Sequence, residues 1–179
     1  MYPGPWLAVD TTQALRFFFE RLKDVAGDRE SLKTELLYNA SVLAHFATTS
    51  TAAADQFPSS PSSLSTVFDV FVLDRSQHAD PEILEAAGSQ CLLLTGFFRD
   101  QVRHRYNVTW YARLGAGFYA RAAQLGSDRR RIEMMLVMAK RFDFWCDHQA
   151  LLARELRDAP RIIAARTPPP TLDGPVSPQ

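Results

Sequence analysis

A helix with no polar face can be satisfied only in the middle of a protein, and residues 91–98, CLLLTGFF, read as the end of such a helix. They run into an arginine-rich bend (Arg99, Arg103, His104, Arg105) and then into residues 108–125, where aromatics, glycines and arginines alternate. The rest of the chain reads as helices that supply core around this stretch. The expected fold class is therefore all-α: a single-domain bundle of about six helices with a long C-terminal helix and a disordered Pro-rich tail. A length of 179 residues is enough for one domain with a real interior.

Punctuation along the chain sets the expected boundaries. Residues 1–9, with Pro3 and Pro5, form an extended lead-in, and residues 10–166 form the helical domain. Asp10 or Thr11 can cap the first helix, whose stripe is Leu15, Phe18 or Phe19, Leu22 and Val25, and Gly27 ends it. Asp28 is the expected cap of a second helix reaching about Thr49, with Leu32, Leu36, Leu43 and Phe46 inward and Tyr38, Val42 and His45 in a row beside them. Residues 51–63, TAAADQFPSSPSS, are a flexible Pro/Ser loop by composition, and a short third helix follows with Leu64, Val67, Phe68 and Phe71 inward. The triplet Asp80-Pro81-Glu82 is the clearest helix start, and that fourth helix is expected to run to Phe98. Asn107 caps a fifth helix, 108–125, which Gly126 stops. Ser127 or Asp128 caps a sixth that runs to about Asp158, where Pro160 ends it. The fourth and sixth are expected to be the most central, with the fifth packed against them. Residues 167–179, TPPPTLDGPVSPQ, carry too few apolar side chains to order themselves.

A formal net charge of zero hides an uneven layout. Residues 1–95 hold 6 basic and 12 acidic side chains; residues 96–141 hold 10 and 3. The basic centre either pairs with the acidic first half or faces an anionic partner. Two distant cysteines, Cys91 and Cys146, give no zinc, redox or disulfide motif and read as small core residues. The start, MYPGPWLAVD, has no signal-peptide pattern, and the longest uncharged window is too polar to span a membrane. A bacterial, cytoplasmic protein is the consistent expectation.

Catalytic signatures are missing: there is no Gly-rich phosphate loop, no H-E-x-x-H, no G-x-S-x-G and no E-x-x-H. The four histidines fall on four different elements. Asp143 and Asp147, one helical turn apart beside His148, need a cation nearby and read as a structural ion-pair network supplied by Lys140 or by arginines of the fifth helix. No cofactor or metal is expected.

The candidate site residues are Arg103, Arg105, Tyr106, Trp110, Arg113, Gly117 and Arg121. Arg113, Gly117 and Arg121 share one line of the fifth helix, with Tyr106, Trp110, Leu114 and Phe118 on the adjacent apolar face. The gap at Gly117 suits a neighbouring helix, with Arg113 and Arg121 pairing to Glu82, Glu85 or Asp143, or else a small anion or acidic peptide. The leading functional expectation is a non-enzymatic helical regulatory or interaction protein that binds a protein partner or itself. One alternative is a ligand-binding domain or enzyme for a small anionic ligand at the Arg113/Gly117/Arg121 groove. The other is a nucleic-acid-binding protein using two clusters, Arg99–Arg103–Arg105 and Arg129–Arg130–Arg131, set roughly 27 Å apart by an 18-residue helix. Against nucleic acid stand the balanced charge and the lack of a helix opening on base-reading polar residues.

Overall fold

A computed structural model describes residues 11–52 and 79–165. Every regular element among these residues is helical, in agreement with the all-α expectation. In chain order they are α1 (Thr11–Ala26), α2 (Lys33–Ala52), α3 (Pro81–Thr95), α4 (Arg99–Val102), α5 (Val108–Leu125), α6 (Arg129–Lys140) and α7 (Phe142–Ala165), with a 3-10 turn, Glu30–Leu32, before α2. The lead-in, the third predicted helix and the tail lie outside the described residues, as does the 51–63 loop beyond Ala52.

The helix starts follow local chemistry. Asp80 Oδ1 accepts the Glu82 amide at 2.8 Å, with Pro81 at the first helical position where its missing N–H costs nothing. Asn107 Oδ1 accepts the Trp110 amide at 3.1 Å, and Asp128, rather than Ser127, accepts the Arg130 amide at 2.9 Å. Gly27 takes φ +89°, a left-handed value that a side chain resists, and so stops α1. Asp28 does not cap α2. Its carboxylate turns back to Lys23 at 3.0 Å, and α2 is reached through the 3-10 turn, before which Arg29 makes no side-chain cap.

Two other predicted boundaries are corrected. α3 ends at Thr95 rather than Phe98, because Gly96 leaves helical geometry at φ −101°, ψ −86°. A Cβ at Gly96 would lie 2.7 Å from the Leu92 carbonyl oxygen and 3.0 Å from Gln149 Oε1, so the turn requires glycine. The expected sixth helix is two, α6 and α7, separated at Arg141 (φ −110°, ψ 22°). Pro160 falls inside the bounds of α7 instead of ending it.

The most extensive pairing is α3 against α5, followed by α1 against α2 and α5 against α6; α7 touches α1, α3 and α5 and ties the pairs together. Trp145, Tyr119, Phe142, Leu36, Leu84 and Leu92 are among the largest fully buried side chains. Cys91, Leu92, Leu94, Thr95 and Gly96 are all buried, so the apolar helix end sits in the core as its composition demands. Both cysteines are free and buried, and burial pushes each thiol up to about 12, which keeps it protonated and unreactive. Of the described glycines, Gly115 is the most tightly packed, where α5 meets Phe142 of α7 and Cys91 of α3.

The short α4 is pinned to α7 by charge. Asp100 accepts from Arg154 at 3.2 and 3.3 Å and from Arg157 at 2.6 Å, with Arg103 3.8 Å away. Hydrogen bonds from Arg154 and then Arg157 hold its carboxyl well below the usual carboxylate range. A folded-state value depressed in this way stabilises the protein above the unfolded-chain value and is lost as pH falls through the folded one. Asp100→Asn should therefore melt lower than the parent at neutral pH. The difference should shrink once pH drops below about 4, where the unfolded carboxylate begins to protonate. A difference in melting temperature that stays constant from neutral pH into strong acid would show that the carboxylate's charge is not what matters.

Candidate ligand-binding cleft

The cationic line of α5 receives no helix among the described residues. Arg113, Gly117 and Arg121 are exposed, and a Cβ built at Gly117 meets no described atom within 4 Å. The expected tight packing occurs two residues earlier, at Gly115, which with Ala112, Ala116 and Ala123 makes up a side of α5 built of small residues. Nor do the arginines find the predicted acids. Glu82 and Glu85 both bind Arg131, at 3.6 and 2.7 Å, and Arg121 reaches only Gln124 Oε1 at 3.4 Å. Arg105, Arg113 and Arg121 form no ion pair with a described carboxylate, whereas Arg103 is held loosely by Asp100.

The aromatic members of the predicted set divide. Tyr106 is half-buried against Leu94, Val102 and Tyr111, with its ring edge-on to Tyr111 at 5.9 Å. Trp110 is 41% exposed and lies on the same side of α5 as Arg113 and Gly117, its ring perpendicular to Tyr111. Asp147 pairs with Arg99 of α4 at 2.7 Å, not with Lys140 or α5, and Asp143 is exposed. His148 Nδ1 sits 2.7 Å from the Phe144 carbonyl oxygen, and so Asp143, Asp147 and His148 do not converge. Of the arginines opening α6, Arg129 is compensated by Glu133 at 2.9 Å and Arg131 by the two α3 glutamates. Among the described residues no group of His, Cys, Asp and Glu could hold a metal ion, and no helix is long and apolar enough to cross a membrane.

A larger concavity lies elsewhere among the described residues, between α2 and α3. It encloses about 710 Å³. Its apolar lining comes from Val42 and Phe46 of α2, Leu93 and Leu94 of α3, and Phe98 beyond α3. One end is polar. Tyr38 donates to Glu85 Oε1 at 3.1 Å and stands 3.2 Å from Ser89 Oγ and 3.4 Å from the Tyr119 hydroxyl. The Ser89 and Tyr119 hydroxyls are 3.0 Å apart, and Arg131 donates from Nε to Glu85 Oε2 at 2.7 Å. Helical spacing explains the assembly: Glu85 and Ser89 are one turn apart on α3, and Tyr119 reaches them from the centre of α5 across Gly88, whose Cβ would sit 3.0 Å from the tyrosine ring. Burial, and then the charge of Glu85, push the Tyr38 phenol up; burial does the same to Tyr119, with Tyr38 next. Both remain hydroxyl groups at any physiological pH.

None of these polar residues stands out in the sequence. Tyr38, Val42 and His45 are visible as a row on α2, and all three line the cleft. Nothing in the spacing of Glu85, Ser89, Tyr119 and Arg131 says that three helices bring them together. Comparison with family models, with curated proteins and with solved structures gives no match.

Proposed function

We propose that this protein is a non-enzymatic helical binding protein and that its ligand occupies the cleft between α2 and α3. The supporting observation is the form of that cleft: about 710 Å³, apolar along Val42, Phe46, Leu93 and Leu94, with one cluster of convergent hydrogen-bonding groups at Tyr38, Glu85, Ser89 and Arg131. A volume of several hundred Å³ with a mostly apolar lining and a few placed polar groups is the usual form of a small-molecule site. An amphipathic ligand with an apolar body satisfies both parts. This reading moves the candidate site from the α5 arginines to the cleft.

The test uses 1-octanol as a neutral probe on methyl-labelled protein. Its titration should shift the methyl resonances of Val42, Leu93 and Leu94 together and saturably. Ala86 lines the cleft and is exposed, so Ala86→Trp should fill the space, leave the melt unchanged and remove the shifts. Shifts that survive Ala86→Trp, or that appear only at other methyls, would sink the proposal.

A second reading keeps a specific observation behind it. α5 carries no acidic residue, and its exposed side presents Trp110, Arg113 and Arg121 with neither arginine in an ion pair with a described carboxylate. That face suits an anionic partner, as the sequence suggests, but without a concavity it would bind by surface charge and lose affinity steeply with salt.

A further inference from the structure

The polar end of the cleft has a direction, and it identifies the ligand's head group. We infer that the ligand is a cationic amphiphile: an apolar chain lying along Val42, Leu93 and Leu94, and a protonated amine at the carboxylate end, beside Glu82 and Glu85. The inference rests on the cleft being the binding site, as proposed above, and adds the chemistry of what enters it.

Counting hydrogens supports this. Tyr38 has one hydroxyl proton and directs it to Glu85 Oε1, the charged and therefore stronger acceptor. Ser89 and Tyr119 contribute one proton each, and the three hydroxyl oxygens lie within 3.0–3.4 Å of one another. With Tyr119 donating to Ser89 and Ser89 to Tyr38, both protons stay inside the cluster. Ser41, at the rim, directs its own proton to the Tyr38 carbonyl at 2.7 Å. The hydroxyl groups at this end therefore offer a ligand lone pairs and no protons.

Charge points the same way. Arg131 faces two carboxylates, Glu85 at 2.7 Å and Glu82 at 3.6 Å, so among the described acidic and arginine side chains of the lining, carboxylates outnumber guanidinium by one. A carboxylate or phosphate head would meet acceptor-only hydroxyls and an arginine whose charge is already matched by two carboxylates. A primary ammonium brings three donors and the missing charge.

The experiment compares three probes of one chain length on the full chain at about pH 8, where an alkylamine is still protonated: octylammonium, 1-octanol and octanoate. Dissociation constants come from the same methyl shifts. Octylammonium should bind about tenfold or more tightly than octanoate, and more tightly than octanol, as expected for a charge-assisted contact near a protein surface. Glu85→Gln should abolish that preference, bringing the ratio of octylammonium to octanol affinity to about one. Glu82→Gln is the safeguard should Glu85→Gln disturb the fold: Glu82 is three-quarters exposed and its only described ionic partner is Arg131, so the substitution should reduce the preference without affecting the melt. Equal affinity for octanol and octylammonium, or tighter binding of octanoate, would overturn the head-group assignment and leave the cleft as a site. If none of the three probes moves the cleft methyls, both inferences fall.

Discussion

Replacing Glu35 with alanine should cost the fold about 3–5 kcal/mol, a large part of a typical domain's stability. Glu35 is a carboxylate only 5% exposed, on the face of α2 turned toward the junction of α6 and α7. Both oxygens are used. Oε2 accepts the Trp145 indole N–H at 2.7 Å and Oε1 accepts Arg141 Nη1 at 2.9 Å. Removing the carboxylate leaves the N–H of a fully buried tryptophan without an acceptor. It also strands a guanidinium whose Cζ lies 4.4 Å from the centroid of the Phe144 ring and which is only about one-third exposed. An unmet buried donor and an unpaired half-buried cation are penalties of different origin, and they add to the cavity left by the side chain. Glu35→Gln keeps the volume and so removes only the electrostatic part. It should fall between alanine and the parent, because the amide nitrogen that replaces one oxygen cannot accept from the partner that oxygen served. Denaturant unfolding of the three proteins gives the ordering. A loss of less than about 1 kcal/mol for Glu35→Ala, the scale of a surface ion pair, would show that Trp145 and Arg141 find other partners and that this carboxylate does not hold α2 to the α6–α7 junction.

The same bond explains where sequence reading succeeds and where it stops. Residues 128–158 present one continuous helical stripe, and nothing local marks Arg141 as a break. The backbone hydrogen bonds run on through it, Arg141 N to the Val137 carbonyl and Trp145 N to the Arg141 carbonyl. What turns Arg141 inward is a carboxylate 106 residues away, and a contact at that separation leaves no periodic trace. Local signals fared well for the opposite reason. The caps at Asp80, Asn107 and Asp128, the stop at Gly27 and the burial of residues 91–96 each depend on neighbours within one or two turns. Asp28 failed as a cap because a competing local partner, Lys23, was as near. Asn39 and Gln149 show the limit most plainly: both are polar and fully buried, and Gln149 Nε2 donates to Asn39 Oδ1 at 3.1 Å while Asn39 Nδ2 donates to the Glu35 carbonyl at 2.9 Å and Gln149 Oε1 meets no partner among the described residues. The candidate site divides along the same line. The arginine array of α5 was legible because it lies on one helix; the Tyr38–Glu85–Ser89–Tyr119–Arg131 cluster draws on α2, α3, α5 and α6 and was not.

Two glycines of α5, two residues apart, should respond to leucine in opposite directions. At Gly115 the first added carbon alone would stand 2.5 Å from Phe142 Cζ and 2.6 Å from Cys91 Cβ. Neither neighbour is free to give way: Phe142 and Cys91 are 2% and 0% exposed, and they belong to α7 and α3, the elements between which α5 is held. Gly115→Leu should therefore cost about 3 kcal/mol or more, at or beyond the upper end of ordinary overpacking, since three further carbons must follow the first. At Gly117 nothing lies within 4 Å of the same carbon, so leucine meets no obstacle. There the change also removes glycine's backbone freedom in the unfolded chain, a gain of somewhat under about 1 kcal/mol in a helix interior. Gly117→Leu should melt at or slightly above the parent temperature. Arg113→Ala, with no described carboxylate to strand, should stay within about 0.5 kcal/mol. A loss of stability in Gly117→Leu would mean that another part of the molecule covers this face of α5, and the arginine line would then be an internal surface. With the expected pair of outcomes, the small-residue side of α5 is the helix contact and the arginine side faces solvent. Any weakening of anion binding by Arg113→Ala could then be read as loss of a contact rather than loss of the fold.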